Sequence, residues 1–358
     1  MSADKSSASC KKPKKTSEPL VVKSPEIHPD QSVTLRLLAP HAEKVYVHGT
    51  FGEAPCLERD DAGVWSMTVG PLKPGLYTYT FDADDIYMPD PCNPSVMSAS
   101  PPISKLEITN GQSAWDLRSV PHGEVHLHLY DSKSLGVQRR IHVYTPPGYQ
   151  KGSDRYPILY LLHGWGGDDE SWTSLGKANL IFDNLIAEGK AQPMVVVMPN
   201  GHTFNPYETN FNAARSRLTV DFERDLLEDV IPLAEDNYRV CLESGRAIVG
   251  LSMGGMHALE IGLGNIDIFS SIASFSAAPA DWDRLQKTMS MDAADINKRL
   301  RLLWLACGKS DAFFPLNLEM IDVLKKKAIN HIWHPTEGGH YWQIWRENLT
   351  ELSPLLFR

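Results

Sequence analysis

The sequence lacks a long apolar run, a closely spaced cysteine pair and an excess of basic residues. No apolar stretch approaches the roughly 20 residues of a membrane helix, so no membrane span is predicted. The five cysteines are widely spaced and include no C-x-x-C pair, which argues against a zinc site and a dense disulfide framework. A single bridge between Cys56 and Cys92 stays open. The net charge of −9 gives no broad basic surface, so nucleic acid is not expected as a partner.

The chain of 358 residues is long enough for two domains of ordinary size, about 100–200 residues each. Residues 1–23 are rich in Lys, Ser and Pro, and we expect a solvated, disordered tail there. This tail lacks the apolar core of a secretory signal. The protein is therefore expected in the cytoplasm, or secreted or periplasmic if a signal was removed. The oligomeric state is not predicted.

The first domain, residues 24–118, is predicted to be an immunoglobulin-like β-sandwich. Segments such as Val33–Leu37 and Tyr77–Phe81 alternate with a period of two, as strands with one buried face do. Helical periodicity is absent from this part of the sequence. The predicted strands are Ser32–Leu38, Lys44–His48, Gly63–Val69, Gly75–Asp82 and Ser104–Ile108.

The second domain, residues 119–358, is predicted to have the α/β fold, because short apolar segments alternate there with segments of helical spacing. The predicted strands are Val125–Tyr130, Ile141–Tyr144, Ile158–Leu162, Met194–Met198, Ala247–Gly250, Leu302–Cys307 and His331–His334. The predicted helices are Leu180–Glu188, Thr219–Asn237, Gly254–Leu263, Leu316–Lys327 and Tyr341–Leu352.

The pentapeptide Gly250–Gly254 places Ser252 between a buried strand and a helix. Glycines two residues before and after the serine remove Cβ atoms that would collide in so sharp a turn. The turn lifts the hydroxyl above the sheet edge. Ser252 is therefore the predicted nucleophile of an α/β-hydrolase.

A serine nucleophile needs an imidazole to take its proton and a carboxylate to orient that imidazole. In α/β-hydrolases the acid and then the base follow the serine along the chain. Asp311 comes directly after an apolar strand, and His340 follows two glycines that free the backbone to aim it. Asp311 and His340 are the predicted acid and base, whereas His331 and His334 are expected to be surface or packing residues.

Ester attack builds a negative oxygen that the site must stabilise with N–H donors. The backbone amide of Met253, directly after the nucleophile, is one predicted donor. The second is predicted to be the Trp165 amide, in the glycine-rich loop His163–Gly167.

These motifs resemble carbohydrate esterase family 1, a group of α/β-hydrolases that includes feruloyl and acetylxylan esterases. The first domain is similar to the early-set sandwich of carbohydrate-binding module family 48 at Tyr79–Asp82 and Asp90–Pro94. In the second domain the resembling segments are Val120–Gly123, Val143–Tyr149, Leu161–Gly164, Asp183–Lys190, Met198–Gly201, Gly250–Gly255, Gly338–His340 and Pro354–Phe357.

The resemblance implies a serine esterase that hydrolyses feruloyl or related hydroxycinnamoyl esters on plant arabinoxylan, with no metal ion or cofactor. The partner would be a feruloylated or acetylated xylan-type polysaccharide or oligosaccharide. Trp165, Trp115 and Tyr341 are predicted to contact this substrate, because aromatic rings stack on a phenolic acyl group. The first domain shows no evident pair of exposed aromatic residues, which leaves open whether it binds sugar or walls the esterase site.

Other functions stay open. An acetylxylan esterase would use the same triad with a smaller acyl pocket, and an acyltransferase would pass the acyl group to an alcohol. An enterobactin-type esterase would need basic residues for its polyanionic catecholate substrate, and the candidates are Arg215, Arg217 and Lys309. From another class, the chain could be a carbohydrate-binding protein with a degenerate esterase domain.

Overall fold

A computed structural model of the protein describes residues 21–52, 56–97, 102–203, 211–277 and 292–358, without the side chains of residues 211–216. Residues 1–20 of the predicted tail lie outside these ranges. The described chain divides into two compact units. The first comprises the residues up to Ile108 apart from Pro74–Leu76, and the second comprises Pro74–Leu76 and the residues from Thr109 onward. Residues 109–118, which the sequence analysis assigns to the first domain, thus cluster with the second unit.

The first unit contains two antiparallel sheets that share one core. One sheet has the order β1-β2-β5-β4, and the other has the order β3-β6-β9-β8, with β7 paired to β6. Val33 and Leu35 from β2 meet Tyr79 and Phe81 from β6 in one buried apolar cluster. The strands are β1 Glu26–Ile27, β2 Val33–Leu38, β3 Val45–Gly49, β4 Glu58–Arg59, β5 Val64–Val69, β6 Gly75–Ala83, β7 Ile86–Met88, β8 Val96–Met97 and β9 Ile103–Ile108. The predicted β-sandwich is confirmed.

A buried carboxylate stabilises the interior of this sandwich. Asp90 accepts hydrogen bonds from the hydroxyl groups of Ser24, at 2.6 Å, and Tyr79, at 2.7 Å. Burial, together with Asp90, raises the pKa of Tyr79, so this phenol stays a donor. Cys56 and Cys92 are free, exposed thiols, and the bridge that their spacing left open is not formed.

The second unit is built on an eight-stranded sheet with the order β10-β11-β13-β12-β14-β15-β16-β17. The pairs from β13 to β17 are parallel, whereas β10 and β11 are antiparallel to their neighbours. These strands are β10 Glu124–Ser132, β11 Val137–Thr145, β12 Ile158–Leu162, β13 Val195–Pro199, β14 Arg246–Leu251, β15 Phe269–Phe275, β16 Leu302–Gly308 and β17 Ile332–Thr336.

Helices cover both faces of this sheet, which is why most of its central strands are apolar on both faces. Ile158 and Tyr160 of β12 join one core cluster, while the intervening Leu159 joins the cluster on the other face. The helices are α1 Ser171–Ser174, α2 Ala178–Ala187, α3 Phe211–Asp225, α4 Ile231–Asn237, α5 Met253–Gly264, α6 Ala293–Arg299, α7 Phe314–Lys326 and α8 Trp342–Leu352. The predicted α/β-hydrolase fold is confirmed. No helix of the described ranges combines the length and apolar character needed to cross a membrane.

Two elements differ from the prediction. The single helix expected over Thr219–Asn237 is interrupted between α3 and α4 by a π-helical turn at Leu226–Val230, because Pro232 lacks the N–H that a continuous α-helix would use. Strand β15, which pairs with both β14 and β16, was not predicted at all. Its three serines break the apolar run that marks the other central strands.

Candidate active site

The Ser252 backbone makes the sharp turn that the glycine spacing predicts. Ser252 follows β14 directly and precedes α5, with φ 53° and ψ −115°. A Cβ atom on Gly250 would lie 2.1 Å from the Gly254 carbonyl oxygen, and one on Gly254 would lie 2.4 Å from the His163 carbonyl oxygen. Both distances are far below contact, so only glycine fits at these positions.

Ser252, His340 and Asp311 are joined by a chain of hydrogen bonds. The Ser252 Oγ atom lies 3.0 Å from His340 Nε2, and His340 Nδ1 lies 2.8 Å from Asp311 Oδ2. The Asp311 side chain is fully buried, whereas that of His340 is 30% exposed. Because the carboxylate accepts the Nδ1 proton, Nε2 is left as the acceptor that faces the serine hydroxyl.

The Asp311 carboxylate is held in its charged form. Burial alone would raise its pKa, but hydrogen bonds from His340, the Phe313 amide and Ser276 outweigh burial and lower it. The Phe313 amide donates to Oδ1 at 2.8 Å. The indole nitrogen of Trp345 in turn donates to Ser276 Oγ at 3.2 Å. Sequence reasoning missed Ser276, because it directly follows the unpredicted strand β15.

The loop after β12 lies directly against Ser252. A Cβ atom on Gly164 would lie 3.2 Å from the Ser252 Cβ atom. Gly164 to Gly167 form a turn closed by a 3.1 Å hydrogen bond, and the positive φ of Gly166 suits its third position. The amide of Trp165 therefore follows a residue in contact with the serine.

The first amide of α5 belongs to Met253. The first amides of a helix have no acceptor within it, and they favour a negative charge in front of the helix. Ser252, His340 and Asp311 in line place a hydroxyl beside a ring nitrogen that can accept its proton, next to N–H donors, and these are the groups that nucleophilic acyl transfer requires.

The predicted aromatic contacts differ in their surroundings. Trp165 and Tyr341 are 48% and 40% exposed. Trp165 directly follows Gly164, and Tyr341 directly follows His340. Trp115 is partly buried against the core on the α2 side of the sheet, and its indole nitrogen has no hydrogen-bond partner among the described residues. Trp172 is a core residue that donates to the Leu162 carbonyl at 2.9 Å. Contact between Trp115 and substrate stays a prediction.

The part of the chain that the structure describes holds no cluster of three or more His, Cys, Asp or Glu side chains that could bind a metal ion. The free thiol of Cys307 is buried near Asp311, and burial, with that charge, raises its pKa to about 12. It is therefore a neutral packing group at physiological pH.

The chain is similar to known esterases in sequence and structure. The "Endo-1,4-beta-xylanase/feruloyl esterase" of Xylanibacter ruminicola is 30% identical over 345 residues, which cover 93% of this chain and 46% of that protein. A solved "ferulic acid esterase" is 26% identical with a TM-score of 0.58 and covers 66% of this chain and 98% of its own. The enterobactin esterase FES of Shigella flexneri shares the fold, with 18% identity, a TM-score of 0.67 and coverage of 91% of this chain and 93% of its own.

The chain spans less than half the length of the first curated relatives that it matches. The family model named Esterase, described as "Putative esterase", matches residues 132–356. This match covers more than half of the chain and includes the serine turn, the strand before Asp311 and the loop that carries His340. The chain therefore belongs to the esterase family.

Proposed function

We propose that the protein is a serine carboxylesterase that removes feruloyl or related hydroxycinnamoyl groups from xylan-type polysaccharide. The observation that carries the proposal is the line of hydrogen bonds from Ser252 through His340 to Asp311. This line lies at the carboxyl ends of the parallel strands, where the fold leaves room for a ligand.

In the proposed reaction, Ser252 Oγ attacks the ester carbonyl carbon while His340 Nε2 takes the hydroxyl proton. The amides of Met253 and Trp165 stabilise the oxyanion. His340 then gives the proton to the leaving sugar oxygen, which leaves an acyl group on Ser252. A water molecule, deprotonated by His340, attacks this acyl group, and the proton returns to Ser252 as the free acid departs.

Two observations support an aromatic acyl group. The relative that aligns over 93% of this chain bears the name of a feruloyl esterase. The exposed rings of Trp165 and Tyr341 offer surfaces for a phenolic ring, whose stacking contributes about 0.5–1.5 kcal/mol beyond buried area.

An enterobactin-type activity is less well supported. Arg217 forms an ion pair with Asp221 at 3.0 Å, and Lys309 pairs with the Glu337 carboxylate. The side chain of Arg215 lies outside the described residues. The described basic candidates are thus already paired with carboxylates, which reduces their attraction for a polyanionic catecholate.

The test compares hydrolysis of methyl ferulate, an aryl acetate and enterobactin by the wild type and Ser252→Ala. We expect strong methyl ferulate turnover that is lost in Ser252→Ala and kept in Ser153→Ala, which changes an exposed serine. Rapid acetate turnover without ferulate turnover would replace the proposal with an acetylesterase. Failure of a fluorophosphonate to label the folded wild type at Ser252 would exclude serine catalysis altogether.

The first unit has an aromatic face that sequence reasoning missed. Tyr46 of β3 lies opposite Asp82 of β6, and Asp82 lies opposite Tyr87 of β7. Cross-strand partners project from the same face of a sheet. His48 stacks on Tyr87 with ring centroids 5.4 Å apart, and both tyrosines are about half exposed.

We propose that this aromatic face, Tyr46, His48, Asp82 and Tyr87, binds polysaccharide. Aromatic rings stack on the apolar faces of sugars, and the buried Asp82 carboxylate holds the His48 ring of this face at 3.3 Å. We expect Tyr46→Ala with Tyr87→Ala to reduce both binding to insoluble arabinoxylan and ferulate release from bran, with methyl ferulate hydrolysis unchanged. Ile86→Ala, which trims an exposed apolar neighbour, is the control. Unchanged binding by the double variant would refute this role.

A further inference from the structure

The peptide units on both sides of Trp165 are fixed by histidines. The carbonyl of Gly164 accepts a hydrogen bond from His163 Nδ1 at 2.7 Å and another from the Gly167 amide at 3.1 Å. A trans peptide is planar, and its C=O and N–H point in opposite directions. The two bonds on the Gly164 oxygen therefore set the direction of the Trp165 N–H.

The next peptide unit is held by His202. The Gly166 amide donates to His202 Nε2 at 3.1 Å, which fixes the plane that contains the Trp165 carbonyl. The Trp165 indole also meets the His202 ring edge-on, with centroids 5.0 Å apart. His202 thus accepts from the amide that follows Trp165 and packs against the Trp165 side chain.

Both histidines depend on one segment, Asn200–His202, which follows β13. The Gly201 amide donates to His163 Nε2 at 2.8 Å. Nε2 is therefore an acceptor, and the single ring proton of neutral His163 lies on Nδ1, where it reaches the Gly164 carbonyl. His202 belongs to the same segment.

Arg139 of β11 anchors this segment. Its guanidinium donates to the carbonyl of His202 at 2.9 Å and to the carbonyl of Asn200. Its Nε atom lies 3.1 Å from Asp225 Oδ2, and both side chains are buried. Tyr130 donates to the same carboxylate at 2.8 Å. The arginine is thus fixed from α3 and β10 while it binds two carbonyl groups of this segment.

His202 is a neutral acceptor at physiological pH. Burial lowers its pKa to about 4, and the neighbouring His163 and Arg139 act in the same direction, against Asp168. A protonated ring would present an N–H to the Gly166 N–H and lose this hydrogen bond.

We propose that His202 and Arg139 are positioning residues that aim the Trp165 amide at the oxyanion formed on attack by Ser252. This inference rests on the proposed esterase activity, because the oxyanion exists only in that reaction. Neither residue touches the reacting atoms. They act on this donor indirectly: His202 holds the adjoining peptide unit, between Trp165 and Gly166, and Arg139 holds the segment whose Gly201 amide orients His163.

The test measures kcat and KM on methyl ferulate for His202→Phe and His202→Gln, with active enzyme counted by fluorophosphonate labelling carried to completion. His202→Phe keeps a ring beside Trp165 but removes the acceptor for the Gly166 amide, whereas Gln retains one. Removal of an oxyanion donor costs about 100- to 1000-fold in kcat. For misdirection of one donor we expect about a 10- to 100-fold loss in kcat with KM within about threefold, and recovery to within about threefold in His202→Gln.

His128→Phe is the matched control, since it also removes one hydrogen bond of a half-buried histidine, to Tyr238 on the β10 side of the sheet. Its kcat is expected to stay at the wild-type value. A kcat within twofold of wild type for His202→Phe would overturn the role of His202. Equal losses in the Phe and Gln variants would overturn it as well, because they would show that the acceptor is irrelevant.

Arg139→Lys keeps a positive charge beside Asp225 but cannot serve both carbonyls with the geometry of a guanidinium. We expect the same loss of kcat with little change in KM, and an unchanged kcat would remove Arg139 from the inference. A wild type that neither hydrolyses the ester nor reacts with the fluorophosphonate would refute the proposed function instead. The two failures are therefore distinguishable.

Discussion

Replacing Asp311 with asparagine tests the site most directly, because it changes one oxygen into an NH2 group and leaves the shape intact. The carboxylate accepts from His340 Nδ1 through one oxygen and from the Phe313 amide through the other. In the variant, the single carbonyl oxygen is expected to stay with the Phe313 amide. The NH2 group then faces Nδ1, and the ring must move its proton to Nε2.

An Nε2 that carries the proton cannot accept the proton of Ser252. In a serine triad this exchange of carboxylate for amide lowers kcat about 10,000-fold, which corresponds to about 5 kcal/mol at 1.36 kcal/mol per factor of ten. We expect a loss of this size in methyl ferulate hydrolysis and a parallel slowing of fluorophosphonate labelling, since both report activation of the same hydroxyl.

The same substitution has a predictable effect on stability. The folded pKa of Asp311 is lowered, so its charge stabilises the fold above its unfolded value of about 3.9. This contribution is lost as the pH falls through the lower folded pKa. Asp311→Asn is therefore expected to unfold at lower urea concentration than the wild type at pH 7, by a margin that narrows in acid.

Glu337→Gln makes the same chemical change at an exposed carboxylate that pairs with Lys309, and we expect its activity and stability to be nearly unchanged. If Asp311→Asn kept kcat within tenfold of wild type, Asp311 would not be the residue that orients His340. A stability difference that widened in acid would contradict the assigned charge state.

Three further substitutions probe the scaffold. Gly254→Ala places a Cβ atom against the His163 carbonyl, so we expect it to lower the free energy of unfolding by about 1–3 kcal/mol and to abolish activity. Gly152→Ala, whose Cβ atom would have no neighbour nearer than 3.9 Å, should change neither stability nor activity. Equal losses in the two variants would refute the steric argument. Ser276→Ala leaves the Trp345 indole N–H without its acceptor and should cost about 1–3 kcal/mol in urea unfolding; a neutral result would mean that this bond is unimportant. Asp90→Asn removes an acceptor shared by Ser24 and Tyr79 and should destabilise the first unit by about 1–3 kcal/mol. Asp61→Asn, a substitution at the surface, should leave its stability unchanged.

The fold was predictable because its central strands are apolar on both faces. Ile158–Leu162 was predicted with its observed bounds, since each of its residues is buried. Strand β15 was not, because Ser271 and Ser274 are as buried as their apolar neighbours. Burial of those hydroxyl groups depends on neighbouring elements, such as the Gly255 carbonyl that accepts from Ser274, and a local pattern does not contain them.

The site also contains residues that could be located from the sequence and residues that could not. Ser252, Asp311 and His340 could be located from the sequence because each follows a strand or a glycine pair, and the structure brings them within hydrogen-bond distance of one another. Their catalytic roles stay predictions. The contacts of His202 and Arg139 could not be located, since Arg139 is 61 residues from the carbonyl of Asn200 that it binds. Such pairs become neighbours only through sheet topology.

The backbone of Ser252 has a consequence for how this protein can change under selection. A positive φ in a residue that bears a Cβ atom costs on the order of 1–3 kcal/mol, and Ser252 has φ 53°. Glycine adopts this conformation without that cost. Selection for thermal stability alone would therefore favour replacement of the serine by glycine. A library of variants screened only for heat resistance would be enriched in inactive proteins. Retention of Ser252 in a lineage therefore indicates continued selection for its chemistry.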